Sequence, residues 1–183
     1  MAAILKLYLD IALLRRGPED VPTSRGLLWV TLAAFVLLNA LLTLAFRPGT
    51  DDWLPQLMVS AGFTLLWYRM LLGVFGRPER YLQTVTAVLG FGCIVTPLIV
   101  PAAGMMAPYA DDPSAAMPWM LLLLPLAGYL VYVSARILRA AIERPMFQCV
   151  MLVLLQTFLE PLILLTLFGP DLPAGTGAGP AAG

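Results

Sequence analysis

Histidine is absent from this chain, and cysteine occurs only twice. Without histidine, the commonest metal ligand and the usual general base near neutral pH are missing. Cys93 and Cys149 both fall inside apolar runs, where a cysteine packs as a small hydrophobe. Neither sits in a loop where an oxidising compartment would pair it. Charge is also scarce: 12% of the residues are charged, eleven basic against eleven acidic, for a net charge of zero. So sparse and balanced a charge offers nothing to nucleic acid. Gly-rich phosphate loops, Cys or His metal spacings and Ser/His/Asp arrangements are missing too. The sequence therefore points to no enzyme chemistry, no metal and no cofactor.

What fills the chain instead is apolar. Sixty per cent of its residues are hydrophobic, against roughly 45–50% apolar and about 25% charged in a soluble domain. One small core cannot bury that surface, and lipid is its natural solvent. Crossing the hydrocarbon takes about 20 predominantly apolar residues. Five stretches qualify: Gly26 to Phe46, Leu54 to Phe75, Gln83 to Ala107, Met117 to Ala135 and Phe147 to Gly169. The expected fold is an all-α integral membrane bundle of five transmembrane helices, spanning residues 26–169.

Before it, residues 1–25 form a short segment and linker. Ala2–Arg16 is too short to span, and Asp10, Arg15 and Arg16 spoil the pattern of a cleaved signal peptide. Ile4, Leu5, Tyr8, Leu9, Ile11 and Ala12 recur at helical spacing, with Lys6 and Asp10 on another face. That is the pattern of an interfacial helix lying on the membrane, or of one packed on the end of the bundle. Gly17-Pro18 is expected to end it, and Thr23 or Ser24 to cap the first span. After the bundle, residues 170–183 are rich in Gly, Pro and Ala, with no bulky side chain after Leu172. Such a tail cannot bury enough to order itself and is expected to be disordered.

Charge sets the orientation. Lys6, Arg15, Arg16 and Arg25 precede the first span; Arg77 and Arg80 lie in the second loop; Arg136, Arg139 and Arg144 lie in the fourth. The first and third loops hold only Arg47, together with Asp51, Asp52, Asp111 and Asp112. Short loops of this kind follow the positive-inside rule. The N-terminus is thus expected in the cytoplasm and the C-terminus outside, which requires an odd number of spans. Trp29, Trp53, Trp67 and Trp119 lie mostly toward span ends, where amphipathic rings are favoured. The two Asp doublets either bind a divalent ion or are solvated loop charges.

The polar residues inside the spans are the candidate site. Glu160 sits near the middle of the fifth span, directly before Pro161. A carboxylate there is costly and is either a proton or cation site or a buried group that fixes helix packing. Arg69, in the second span, can snorkel to the cytoplasmic interface or pair with Glu160 through Gln156, one turn nearer that side. Asn39 is the strongly polar residue of the first span. Pro97, Pro101, Pro125 and Pro161 each remove a backbone hydrogen bond within a span. Thr86 and Gly90 form a small-xxx-small pair, which allows close helix approach and marks the third span as central.

Two segments carry a family resemblance. The third span runs from Arg80-Tyr81-Leu82-Gln83-Thr84-Val85-Thr86-Ala87-Val88-Leu89-Gly90 to Thr96-Pro97, and the fourth ends Ser134-Ala135-Arg136-Ile137-Leu138-Arg139-Ala140-Ala141. With the five closely spaced spans, these make residues 25–170 similar to the Yip family, the Ypt/Rab-interacting membrane proteins and their bacterial relatives. The resemblance implies the same five-span topology. The acidic and aromatic motif of the eukaryotic members' cytoplasmic region has no counterpart here, so the resemblance carries no small-GTPase partner. The Ala, Leu and Arg content suggests a bacterial inner membrane. The expected function is that of a non-enzymatic scaffold or accessory subunit in the lipid bilayer, acting on a second copy of itself or on another membrane protein. A small transporter or proton-coupled permease using Glu160 is the alternative.

Overall fold

The computed structural model describes residues 2–46, 53–106 and 113–169. Arg47, both Asp doublets and the tail from residue 170 lie outside the described residues, as does the side chain of Trp119. Among the described residues all regular structure is helical: α1 (Ala2–Ala12), α2 (Arg25–Phe46), α3 (Trp53–Val74), α4 (Tyr81–Met106), α5 (Pro113–Ile142) and α6 (Met146–Phe168). Short 3-10 turns precede α2 at Pro18–Asp20 and α4 at Pro78–Arg80. The helices α2 to α6 are long and apolar enough to cross a membrane. This is an integral membrane protein with several spans.

Four of the expected spans end within two residues of the observed helices, because hydropathy is a local property that the chain spells out. The fourth differs. α5 continues well past Ala135 to Ile142, since Ile137, Leu138, Ala141 and Ile142 are buried while Arg136 and Arg139 stay exposed. The last turns of α5 are an ordinary amphipathic helix attached to a membrane span. Pro97, Pro101, Pro125 and Pro161 are all accommodated inside continuous helices.

The connections show why each helix stops where it does. α3 ends in a left-handed glycine: Gly76 has φ of 69°, and Arg77 N–H reaches back to the Leu72 carbonyl at 2.8 Å. This is the six-to-one bond of a Schellman cap, for which glycine carries no steric cost. α2 starts at a serine cap, with Ser24 Oγ accepting from Leu27 N–H at 3.3 Å. α1 stops earlier than Gly17-Pro18 would require. Leu14 adopts φ of 61°, and the Asp10 carbonyl accepts from both Arg15 and Arg16 N–H, so the helix is closed at Ala12.

The helices alternate in direction. Gln83 at the start of α4 donates to the Val21 carbonyl just before α2. Arg80 meets the end of α5, and Phe46 at the end of α2 lies against Gly104 near the end of α4. One end of the bundle therefore gathers Arg77, Arg80, Arg136, Arg139 and Arg144; we term it the basic end. α4 is the central helix, touching α1, α2, α3 and α5. Its glycines permit this: the Tyr8 ring packs directly on Gly90, and the Phe35 ring on Gly92.

α1 divides its circumference into three strips. Leu7, Tyr8, Ile11 and Ala12 are buried against Ala87, Phe91 and Val95 of α4 and Val133 and Ile137 of α5. Leu5, Leu9 and Leu13 form an adjacent exposed apolar strip. Lys6 and Asp10 form the third, and Asp10 pairs with Arg16 at 3.5 Å. The helix is thus both docked on the bundle and apolar on its open side, which joins the two readings the sequence left open. Tyr8 hydroxyl bonds Thr31 Oγ1 of α2 at 2.6 Å, and Tyr129 hydroxyl donates to the Ala12 carbonyl. Burial pushes the Tyr8 phenol above its ordinary value, opposed only in part by the Thr31 bond.

Candidate functional site

Glu160 and its neighbours were the expected site, and the fold distributes them. Glu160 is half-buried on α6, where Ser60 Oγ of α3 donates a hydrogen bond to its Oε1. The two residues sit at matching depth, about 10 Å from the start of α3 and about 12 Å from the end of α6 at the helical rise. The pair lies in the half of the membrane away from the basic end. It ties α3 to α6 where few other polar groups are available, and a bonded hydroxyl offsets part of the cost of a carboxyl at that depth.

Arg69 is on the opposite side of the bilayer midplane. Its side chain is exposed and turns toward the basic end, where its guanidinium lies over the Tyr81 ring at 6.0 Å from the centroid. That distance is at the limit of a cation–π contact. Tyr81 hydroxyl in turn donates to the Leu65 carbonyl at 3.3 Å. Among the described residues, no hydrogen bond or ion pair joins Arg69 to Glu160, and half-buried Gln156 bridges neither. Asn39 is satisfied within its own helix, its Nδ2 donating to the Phe35 carbonyl at 2.8 Å. The four polar residues therefore do not converge. Depth separates Arg69 from Glu160, about 24 Å against about 12 Å from the end opposite the basic end at the helical rise, whereas Asn39 sits at a depth similar to that of Glu160 but on α2, which packs chiefly on α4.

Two further groups are buried without partners among the described residues, Trp67 Nε1 and Thr86 Oγ1. Trp67 does not mark a membrane interface. It is buried in the core against Tyr68, Leu72 and their neighbours, with the Phe63 ring 5.8 Å away. Cys149 is buried and Cys93 half-buried, both as free thiols. Among the described residues, no three of His, Cys, Asp and Glu lie together in a way that could hold a metal ion.

The polar chemistry is concentrated at the basic end instead. Glu143 sits between α5 and α6 with φ of 55°, a left-handed conformation that costs a side-chain-bearing residue energy. Its carboxylate accepts from Arg77 at 2.5 Å and from Arg80 at 2.6 Å. Arg80 also donates to the Ala140 carbonyl at 2.7 Å, closing the open end of α5. One carboxylate thus clamps the α3–α4 turn to the α5–α6 turn. The only advance sign of this clamp is that Glu79 and Glu143 are the two acids in otherwise basic loops. Nothing in the local pattern says which arginines Glu143 meets. Clefts flank the clamp: one of about 240 Å³ beneath the α1–α2 linker, lined in part by Arg15, Arg16 and Arg136, and one of about 590 Å³ at the α5–α6 elbow. Set against family models, curated proteins and solved structures, the chain matches none.

Proposed function

We propose that this chain is a non-enzymatic, Yip-like membrane protein that acts as a scaffold or accessory subunit through helix–helix contacts. What carries the reading is the dispersal of its intramembrane polar groups. Glu160 is bonded to Ser60, Arg69 rests on Tyr81, and Asn39 bonds its own helix. Each group is used locally, within one helix or between two neighbouring helices, and a catalytic or transport site needs such groups gathered on one reacting or permeating species. The long apolar faces of α2 and α6, with Leu37, Leu41 and Leu44 on one and Phe158, Leu162 and Leu165 on the other, suit lateral contact with a second copy or another membrane helix.

The basic end faces the cytoplasm in this proposal, with the N-terminus inside and the C-terminus in the periplasm of a bacterial inner membrane. The distribution of Lys and Arg supports it. A reporter fused after Gly183 is expected to be active outside and silent in the cytoplasm; the reverse would overturn the orientation. For the scaffold role, cross-linking of the protein purified in mild detergent is expected to trap a homo-oligomer or a specific partner. A strict monomer with no cross-linked species would count against it.

A transport role would require Glu160 to exchange a proton or ion. Glu160→Gln keeps the shape of the side chain and its bond to Ser60 while removing the titrating group. In reconstituted vesicles we expect this substitution to leave ion-dependent uptake unchanged. A loss of uptake would replace the scaffold reading with the permease.

A further inference from the structure

We infer that the elbow between α5 and α6 is a binding site for the headgroup phosphate of an anionic phospholipid, held by Arg136, Arg139 and Arg144. These three arginines line a cleft of about 590 Å³ together with Ala140, Glu143 and Pro145. The cleft has one carboxylate, and it is already engaged. Both Glu143 oxygens are taken by Arg77 and Arg80. Among the described residues, Arg136, Arg139 and Arg144 have no carboxylate within 4.0 Å. Arg144 is held in place by the Phe75 ring, 5.5 Å beneath its guanidinium.

Three unneutralised guanidinium groups on one cleft repel each other, and the arrangement is relieved by an anion that accepts from several of them at once. Phosphate oxygens match the planar forks of arginine best. Basic pockets between spans at the headgroup level are the usual sites for anionic lipids.

The surroundings favour a lipid over a soluble phosphate. Tyr132 is exposed one turn from Arg136 on the same face of α5, pointing the stripe into the bilayer. At the start of α6, three residues after Arg144, Phe147 is 72% exposed, and Met151 follows it one turn on. On α3, Val74 beside Phe75 is 80% exposed. Arginines in a cleft with exposed apolar and aromatic side chains within a turn of them along α5 and α6 suit a molecule with a phosphate at one end and acyl chains at the other. The inference goes beyond the scaffold reading and does not depend on which side of the membrane the basic end faces.

The test uses the full chain, purified and placed in nanodiscs of mixed phosphatidylglycerol and phosphatidylcholine, with retained lipid read by native mass spectrometry. Phosphatidylglycerol is expected to be retained over phosphatidylcholine by about tenfold or more, the scale of one charge-assisted contact. The triple variant R136Q/R139Q/R144Q should lose that preference. R15Q/R25Q, which changes basic residues outside the elbow, should keep it. Millimolar inorganic phosphate should not displace the lipid. If the triple variant binds phosphatidylglycerol as the parent does, or if inorganic phosphate competes as well as the lipid does, the inference fails. Unfolding of the triple variant in pure phosphatidylcholine discs checks its fold. Should it not fold, the single variants R136Q, R139Q and R144Q must each lower retention, and unchanged retention in all three would overturn the site.

Discussion

The two halves of this bundle are built on different principles. In the basic half, Trp67, Tyr68, Leu71 and Leu72 of α3, Ala135, Leu138, Ala141 and Ile142 of α5 and Cys149 and Val153 of α6 are buried together with Val85 and Leu89 of α4. α1 adds a second buried cluster beside them. Ion pairs and side-chain-to-carbonyl bonds close the same end. In the other half, among the described residues, burial is confined to Ala61 of α3 and to Val95 and Thr96 just past the middle of α4, and Leu121, Leu124, Phe158, Leu162 and Leu165 all face outward. There α2 still packs on α4 as far as Phe46 and Gly104, and Ser60 with Glu160 supplies a side-chain hydrogen bond between α3 and α6. The basic half is packed as a soluble core is packed, and the other half relies on lipid to cover its apolar surface. The reason lies in what each half must satisfy. Charges, turns and an eleven-residue helix at the basic end need fixed partners, whereas a regular apolar helix in hydrocarbon satisfies its own backbone.

The contrast breaks most readily through the core. Leu138 is fully buried, and Leu138→Ala should cost about 2–5 kcal/mol, the range for a large-to-small change with a residual cavity. Leu124→Ala, at a lipid-facing position in the other half, should fall within about 0.5 kcal/mol of the parent. Unfolding in mixed detergent micelles measures both, and equal losses would erase the distinction between the halves.

Glycine substitutions sharpen it at the next level. A Cβ on Gly90 would lie 2.4 Å from the Tyr8 ring, while one on Gly128 would meet nothing within 4 Å. Gly90→Ala should destabilise by about 1–3 kcal/mol through overpacking and expose the α1–α2 linker to protease. Gly128→Ala should be neutral or stabilise by about 0.5–1 kcal/mol, the helix-propensity gain.

Tyr8→Phe tests the docking of α1 more gently. Loss of the Thr31 bond should cost about 1 kcal/mol. Because the folded-state phenol is raised above the ordinary 10.0, its contribution is fully present below that pH. It is lost as pH rises through the higher folded value. The alkaline loss of stability should therefore be smaller in Tyr8→Phe than in the parent when the two are titrated together. A smaller loss than for Tyr8→Phe is expected for Ser60→Ala. Interhelical hydrogen bonds in membranes average about 0.6 kcal/mol, and a loss well above 2 kcal/mol in the same unfolding assay would show that the lipid-facing half depends on this pair as strongly as the basic half depends on its core.

Much of the fold is legible in the sequence because lipid reads composition locally. Five apolar stretches, a cap at Thr23 or Ser24, the short loop holding Arg77 and Arg80 and the separation of apolar from charged residues on α1 all follow from residues a few positions apart. The candidate site was less legible. Glu160 stands out as an intramembrane acid, but its partner Ser60 is 100 residues away. Trp67 resembles an interface tryptophan by composition, and only packing shows it to be a core residue.

The amino-acid sequence on its own determined that this chain lives in a membrane and where four of its five spans begin and end, since hydrophobic length and turn chemistry act over a few neighbouring residues. Only the tertiary structure decided that Glu143 clamps two turns through Arg77 and Arg80, that Tyr8 seats α1 on Gly90, and that Arg69 and Glu160 stay apart. Those outcomes depend on how side chains from distant segments meet in depth and register, and no local pattern carries that information.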